Sequence, residues 1–545
     1  MNHLHAADYA VFLLYFVLVS GYGYWVYQRR KTAQTSTKDF FLAEGSLTWW
    51  AIGASLIASN ISAEHFIGMA GSGFAMGLAI SSYEWIAAAT LIIVAVWFIP
   101  VYLKNGIYTM PQFLAQRYND TVATIMAVFW LVVYVLVNLT SILYLGAIAI
   151  ESLTGIPFTT GTVGLALFAI VITLGGMKVI GYTDVVQVVV LVCGGLVVTY
   201  LALQLVADRV GADGIFGGLA ALQSEADSHF HMYFEPSHPH YSTLPGLSLV
   251  TGGMWVNNLA YWGCNQYIVQ RALGADLKTA RSGILFAAFL KLLIPLIVVI
   301  PGIAAYVLFQ NGTFREAMMT PTGVVRPDNA YPVLMNLLPT GMKGLAFAAL
   351  TAAVVASLAG KCNSISTIFT LDIYKKFFNP AASEQKLVRV GRWAVVGAFL
   401  IAIVIAPMLR SFDQVYQYIQ EYTNFLTPGV FSIFLLGLFW KRTTTRAAMA
   451  VALLTIPFST LLKFWPELMG SFGVEAGEIP FLHRTMWVFC LDVLLMVFLT
   501  LTDSASRQKQ KALVVDRQLF RVTPSFVAGS AVIVAVLAVL YTVFW

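Results

Sequence analysis

Apolar runs of about twenty residues recur along the whole chain, divided by short polar segments. That is the length a helix needs to cross a bilayer. About fourteen spans can be placed, at 9–27, 48–78, 79–103, 121–150, 157–176, 182–206, 245–269, 283–308, 341–371, 390–408, 414–440, 446–463, 484–502 and 524–545. Two do not read as simple spans. The stretch Ser55-Leu-Ile-Ala-Ser-Asn-Ile-Ser-Ala-Glu-His-Phe66 holds Asn60, Ser62, Glu64 and His65 in mid-run. No water satisfies such groups in hydrocarbon, so they mark a solute or ion path and predict a broken helix. A second run, opening at Leu247, is interrupted by Asn257-Asn258. Paired interruptions predict an inverted repeat, with halves at 48–206 and 245–440. Residues 9–47 are then an extra N-terminal helix and loop, and 441–545 extra C-terminal helices.

Composition agrees: 59% of the 545 residues are hydrophobic and 11% charged, which leaves no room for a soluble domain with its own core. The fold class expected is an all-α polytopic membrane protein. The net charge of +6 speaks to topology, not to nucleic acid. With the N-terminus outside, 23 Lys and Arg fall in loops on the inner face and 7 (Arg209, Arg315, Arg326, Lys343, Arg410, Lys463 and Arg484) on the outer. That bias puts both termini outside. Arg29-Arg-Lys31 follows the first apolar run, where a signal peptide would carry its charges before it, so this run reads as an uncleaved span. Cys193, Cys264, Cys362 and Cys490 read as packing residues, since each lies in an apolar run without metal-ligand spacing. His229, His231, His238 and His240 fall in an outer loop and match no standard metal site, so a solvated loop is expected.

The count of cations leaves two inside apolar spans, Lys291 and Lys361. The matching anions are Glu64, Glu84, Asp184 and Glu421. If the two halves pack face to face, Asn60, Glu64, His65, Tyr83, Glu84, Asn258, Tyr261, Trp262, Lys291 and Gln420 converge near the midplane. Amides and carboxylates pair with vicinal hydroxyls and a ring covers the apolar face of a sugar, so this set suits a neutral polyhydroxylated solute. Helix–helix hydrogen bonding explains two or three of these residues, not all. A cation site needs oxygens, and Ser357 is the one midspan hydroxyl of Ala352-Ala-Val-Val-Ala-Ser-Leu-Ala-Gly-Lys361; a lone membrane serine usually bonds its own helix. No nucleophile–base pairing or phosphate-cradling loop appears, so an enzyme is not expected.

Several blocks carry a resemblance: Ala51-Ile-Gly-Ala-Ser-Leu-Ile-Ala, Asn60-Ile-Ser-Ala-Glu, Gly106-Ile-Tyr-Thr, Thr183-Asp-Val-Val-Gln187, Asn265-Gln-Tyr-Ile-Val-Gln-Arg271, Phe286-Ala-Ala-Phe-Leu-Lys291, Ile368-Phe-Thr-Leu-Asp-Ile-Tyr374 and Tyr418-Ile-Gln-Glu-Tyr422. In these, and nearly end to end, the chain resembles the sodium/solute symporter family, within it the sodium/glucose branch and most of all its bacterial sodium/galactose members. The resemblance implies a LeuT-like five-plus-five inverted-repeat core, symport of sodium with a hexose, and a bacterial inner (plasma) membrane. It implies sugar contacts at Glu84, Asn258, Lys291 and Gln420, with Tyr261 as inner gate held by Asn60, and Met69, Tyr83 and Tyr416 as outer lid. Sodium ligands would be the carbonyls of Ala58, Ile61 and Ala353 with the Ser357 hydroxyl, and Asp184 would lie near the inner ion path. No obligate protein partner is evident beyond sugar, sodium and the lipid bilayer.

Three positions depart from the bacterial pattern. His65 stands for glutamine and Ala87 for serine, both as in animal glucose transporters of the family. Ala356-Ser357 stands where the family usually has two adjacent hydroxyls, so one sodium ligand is missing and a hard cation needs another donor. Lys361 lies four residues after Ser357, on the same helix face. Its ammonium is expected either to line the ion exit and repel sodium, or to reach cytoplasmic water, the commoner behaviour of such side chains. Symport of another polyol such as inositol, proton coupling through His65 or Glu64, and a non-transporting sugar sensor are the alternatives.

Overall fold

A computed structural model describes residues 4–29, 47–173, 177–319, 323–411, 415–504 and 511–545; at 26, 27, 29, 177–181, 411 and 415–418 it describes backbone only. The described residues are helical, without a β-strand. The principal helices are α1 (Ala6–Arg29), α2 (Trp49–Asn60), α3 (Ala70–Met76), α4 (Ser82–Ile93), α5 (Asp120–Val132), α6 (Thr140–Thr154), α7 (Phe158–Thr173), α8 (Met177–Val210), α9 (Gly253–Cys264), α10 (Gln266–Leu273), α11 (Leu277–Gln310), α12 (Met342–Thr367), α13 (Glu384–Ile405), α14 (Val415–Thr423), α15 (Thr427–Phe439), α16 (Thr445–Lys463), α17 (Phe481–Thr502) and α18 (Pro524–Val543). Helix falls on all of the expected spans. Ten helical stretches among the described residues are individually long and apolar enough to cross a bilayer; the others are short or broken.

The first break is where the polar residues stand. After α2 the backbone at Ile61 turns extended (φ −76°, ψ 122°), and the chain resumes through a widened π turn, Glu64–Met69. Such turns inside helices are common at functional sites. The second break differs from the expectation at Asn257-Asn258. Both asparagines lie inside α9, where Asn258 Nδ2 donates to the Met254 carbonyl at 3.1 Å and so leaves the helix intact. The chain breaks at Asn265 (φ −97°, ψ 124°). There the Tyr134 hydroxyl meets Asn265 Oδ1, and the Tyr102 hydroxyl donates to the Gly263 carbonyl at 2.8 Å. Groups from other helices stabilise this interruption, so it is invisible to local sequence.

Helix α11 packs along both halves of the first broken helix. A Cβ at Gly53 would sit 2.6 Å from the Gly283 carbonyl, and one at Gly302 would sit 2.1 Å from the Ala70 carbonyl. Backbone contact that close sets the height at which Lys291, midway along α11, meets the break. Helix α12 is rich in Ala and Ser and buried over nearly its whole length, which lets it lie flat against α2 and α8. Small residues are what allow close helix approach in a bilayer.

Burial corrects the charge census. Arg117, Arg271, Arg281, Lys343 and Arg484, counted above as loop cations, are all buried, as are Asp8 and Asp492. The guanidiniums turn back onto protein oxygens; Arg117, for one, donates to Gly437 and Trp440 carbonyls at the end of α15 (2.8 and 3.0 Å). The four cysteines are free, Cys264 and Cys362 buried, Cys490 half-buried and Cys193 exposed. The histidine loop is not simply solvated: His229 is buried, stacks on Tyr306 (4.0 Å) and meets the Phe74 carbonyl at 3.1 Å.

Candidate functional site

The two breaks face one central cavity with about 730 Å³ of empty space, its mouth included. Asn60, Glu64 and His65 reach it from the first break, Tyr83, Glu84 and Ala87 from α4, Asn258, Tyr261 and Trp262 from α9, Lys291 from α11, Lys361 from α12 and Gln420 from α14. Thus all ten residues expected to converge near the midplane line one space. Of the expected outer lid, Tyr83 lines the cavity, Met69 is buried beside it in the helix core, and the side chain of Tyr416 lies outside the described residues.

The polar groups form one connected chain. Lys291 Nζ lies 2.5 Å from Glu84 Oε2 and also meets Asn60 Oδ1. Glu84 Oε1 lies 3.3 Å from His65 Nε2. Asn60 Nδ2 donates to the Tyr261 hydroxyl at 2.8 Å, and that hydroxyl touches the Tyr267 hydroxyl. The Lys291 ammonium also stands 5.1 Å from the centre of the Trp262 ring. Lys291 and Glu84 are nearly inaccessible; each is tolerable in the bilayer because the other neutralises it. The arrangement offers carboxylate and amide acceptors, ammonium and amide donors, and ring faces. No group is poised as a nucleophile.

The cation candidate lies beside the same break. Ser357 Oγ does not bond its own helix. It lies 3.3 Å from the Ala58 carbonyl, 3.1 Å from Ser59 and 2.8 Å from Ile61. A hydroxyl has a single proton to donate, so three carbonyls converging on it are an oxygen-rich spot that suits a hard cation. Ala353 and Ala356 are buried on the same helix. Ser59 Oγ is also buried, without a hydrogen-bond partner among the described residues.

Asp184, expected near the inner ion path, lies in a buried cluster whose other members, Ser55 and Arg271, the sequence did not suggest. Ser55 Oγ donates to Asp184 Oδ2 at 2.5 Å, Arg271 Nε donates to Ser55 Oγ at 2.8 Å, and Arg271 Nη2 lies 3.7 Å from Asp184. Arg271 also bonds the Tyr267 carbonyl. Its one sequence signal is the polar run Asn265-Gln266 followed by Gln270-Arg271, five residues on, in an apolar region. Glu64, expected among the converging polar residues, accepts from Ser141 Oγ at 3.1 Å. Lys361 does not reach cytoplasmic water: it is buried, lines the central cavity and stands 5.1 Å from the Tyr267 ring centre. Glu421 is a structural pair, 2.7 Å from Arg484 and 3.0 Å from Lys463.

Two discontinuous helices, a buried polar cavity at their breaks and an oxygen cluster beside it define a secondary membrane transporter, not an enzyme. Comparison with known proteins gives the family. Residues 40–455 match the model of the sodium:solute symporter family. The chain is 47% identical to the sodium/glucose cotransporter of Vibrio parahaemolyticus, over 99% of this chain and 98% of that one. It is 36% identical to the human sodium/myo-inositol cotransporter 2, over 82% of this chain and 68% of that one. Among solved structures it is similar to a Na+-coupled sialic acid symporter in a substrate-bound outward-open state (TM-score 0.76, 20% identity, 92% of this chain and 98% of that one). It is also similar to Mhp1, a nucleobase-cation-symport-1 family transporter, in a closed conformation (TM-score 0.53, 15% identity, 88% and 99%). The chain belongs to the sodium:solute symporter family and has its LeuT-like fold. It is a multi-pass, sodium-coupled solute symporter, with sodium as the co-transported ion.

Proposed function

We propose that this symporter imports a neutral hexose, galactose or glucose, by alternating access, from a bacterial inner membrane in which both termini face outward. The observation that carries the reading is the single polar chain from His65 to Tyr267, with Ser357 beside it. Glu84, Asn258, Lys291 and Gln420 take the sugar hydroxyls, His65 fixes the Glu84 carboxylate, and Trp262 and Tyr261 cover the ring. Tyr261, tied to Asn60, closes the inner side; Met69, Tyr83 and Tyr416 close the outer. The repeats run over 48–206 and 245–440. The extensive likeness to a relative described as a sodium/glucose cotransporter supports a hexose.

Sodium bound at Ala58, Ile61, Ala353 and Ser357 straightens the first break and favours the outward-open form. Asp184 and Lys361 lie on its inner exit. One sodium ion entering down ~100 mV supplies ~2.3 kcal/mol, and a tenfold gradient adds ~1.4 kcal/mol. Together these support roughly several-hundredfold accumulation at one-to-one coupling. Inositol is the second reading, favoured by the myo-inositol cotransporters among the relatives, and it would use the same hydroxyl contacts.

The test is uptake of labelled galactose, glucose and myo-inositol into proteoliposomes under inward sodium or proton gradients applied separately. Sodium-driven accumulation of a hexose is expected. Accumulation of inositol alone, or uptake driven by protons alone, overturns the reading, and binding without accumulation would make the chain a sensor.

A further inference from the structure

A second large cavity lies outside the transport site, on the membrane-facing surface between the start of α11 and the start of α18, with about 1500 Å³ of empty space, its opening included. Its lining repeats at helical spacing on both walls, as in Ser282, Phe286 and Phe289 of α11 and Ser525, Gly529 and Ile533 of α18. The two stripes face each other, and Leu285 of α11 packs against Gly529 of α18 between them. The polarity is ordered along the groove. Lys278, Arg281, Thr523 and Ser525 stand at one end; Phe289, Val532 and Ile533 stand at the other. From Leu277 to Phe289 the helix rises ~18 Å, close to the ~15 Å of hydrocarbon in one leaflet.

Among the described residues, the polar end holds two cations, Lys278 and Arg281, and one neighbouring carboxylate, that of Asp276. The Arg281 guanidinium donates to the carbonyls of Ala95, Arg521 and Leu519, at 3.1, 2.7 and 2.6 Å. These acceptors are neutral and leave its charge uncompensated. Neither Arg281 nor Lys278 has an ion-pair partner among the described residues. Asp276 keeps its negative charge while it caps the helix, accepting from the backbone of Lys278 and Thr279 and from the Thr279 hydroxyl, so Lys278, Arg281 and Asp276 together leave one net positive charge. A ligand that fits must carry an anionic head and about one leaflet of apolar chain behind it.

We infer that this groove holds an anionic glycerophospholipid, its phosphate on Lys278 and Arg281 and an acyl chain along Phe289, Val532 and Ile533. Trp49, at the start of α2, also lines the groove, so the lipid lies against the helix that carries the Ala58 carbonyl of the candidate cation site.

The test titrates delipidated full-length protein with phosphatidylglycerol or phosphatidylcholine and counts bound lipids by native mass spectrometry. Lys278→Gln and Val532→Trp are compared with wild type; both side chains are exposed, and thermal melts confirm folding. Wild type is expected to retain one phosphatidylglycerol at least tenfold in preference to phosphatidylcholine. Lys278→Gln should cut that preference about fivefold, the effect of one interfacial cation. Val532→Trp should lower occupancy by both lipids. Equal retention of the two lipids by wild type, or variants indistinguishable from it, would overturn the assignment. So would displacement of the lipid by millimolar inorganic phosphate, which would leave the apolar groove without a role.

Discussion

The Ser357 hydroxyl of α12 stands 2.8 Å from the Ile61 carbonyl at the break after α2. It also lies within reach of the Ala58 and Ser59 carbonyls, so one side chain ties the second half of the protein to the interruption in the first. Ser357→Ala removes the side-chain oxygen and leaves backbone carbonyls alone. It is expected to raise the half-saturating sodium concentration about tenfold, since the ion loses one of its few oxygen ligands. Ala356→Ser adds an oxygen beside it at almost no cost in volume and should lower the same value. Sodium titration of sugar uptake checks both; the same value in either variant as in wild type would count against Ser357 as an ion ligand.

The Lys291–Glu84 pair has both a structural and a binding role, and the two separate experimentally. Lys291→Met leaves Glu84 buried with only His65 beside it, and breaking a buried pair costs about 3–5 kcal/mol. The protein should lose both thermal stability and transport. Glu84→Gln with Lys291→Met removes both charges, so stability should return while uptake stays absent, because the ammonium donor and the carboxylate's second acceptor oxygen are gone. Gln420→Ala, which removes no charge, should abolish uptake with a smaller loss of melting temperature than Lys291→Met. Thermal unfolding in detergent, alongside uptake, reads both effects.

How much of this was legible in the sequence depended on how local the cause is. The spans follow from apolar length, and the first break from Asn60, Ser62, Glu64 and His65, which announce themselves by polarity inside an apolar run. The second break does not, because Tyr134 and Tyr102 make it from elsewhere in the chain, while the conspicuous Asn257-Asn258 lies in unbroken helix. Ser357 by itself suggested bonding to its own helix; only the fold shows the carbonyls across from it. Counting Lys and Arg speaks to orientation and says nothing of burial, so the count puts Arg271 in a loop where the structure buries it.

That misplacement has a measurable consequence. A loop arginine tolerates substitution with little effect, whereas Arg271 is buried against Asp184 and Ser55. Arg271→Ala is expected to destabilise the protein by about 3–5 kcal/mol by leaving Asp184 alone in the interior. Asp184→Asn in the same chain should recover part of that loss, since the uncompensated charge is then gone. A double-mutant cycle on melting temperature in detergent checks the coupling; additive effects would mean the two groups do not depend on each other.

Lys361 carries the prediction most particular to this chain. Side chains on a helix lean toward its N-terminus, so the Lys361 ammonium lies over the turn that holds Ser357, buried and with the Tyr267 ring for a neighbour. A positive charge at that place repels sodium at Ser357 and opposes its retention on the inner side. Lys361→Met keeps the length and apolar contacts of the side chain while removing the charge. It should therefore lower the half-saturating sodium concentration severalfold and slow turnover, as sodium leaves more reluctantly. Sodium-dependent uptake and sodium release from preloaded proteoliposomes report the two effects. Unchanged sodium affinity together with unchanged turnover would reduce Lys361 to a packing residue of the cavity wall.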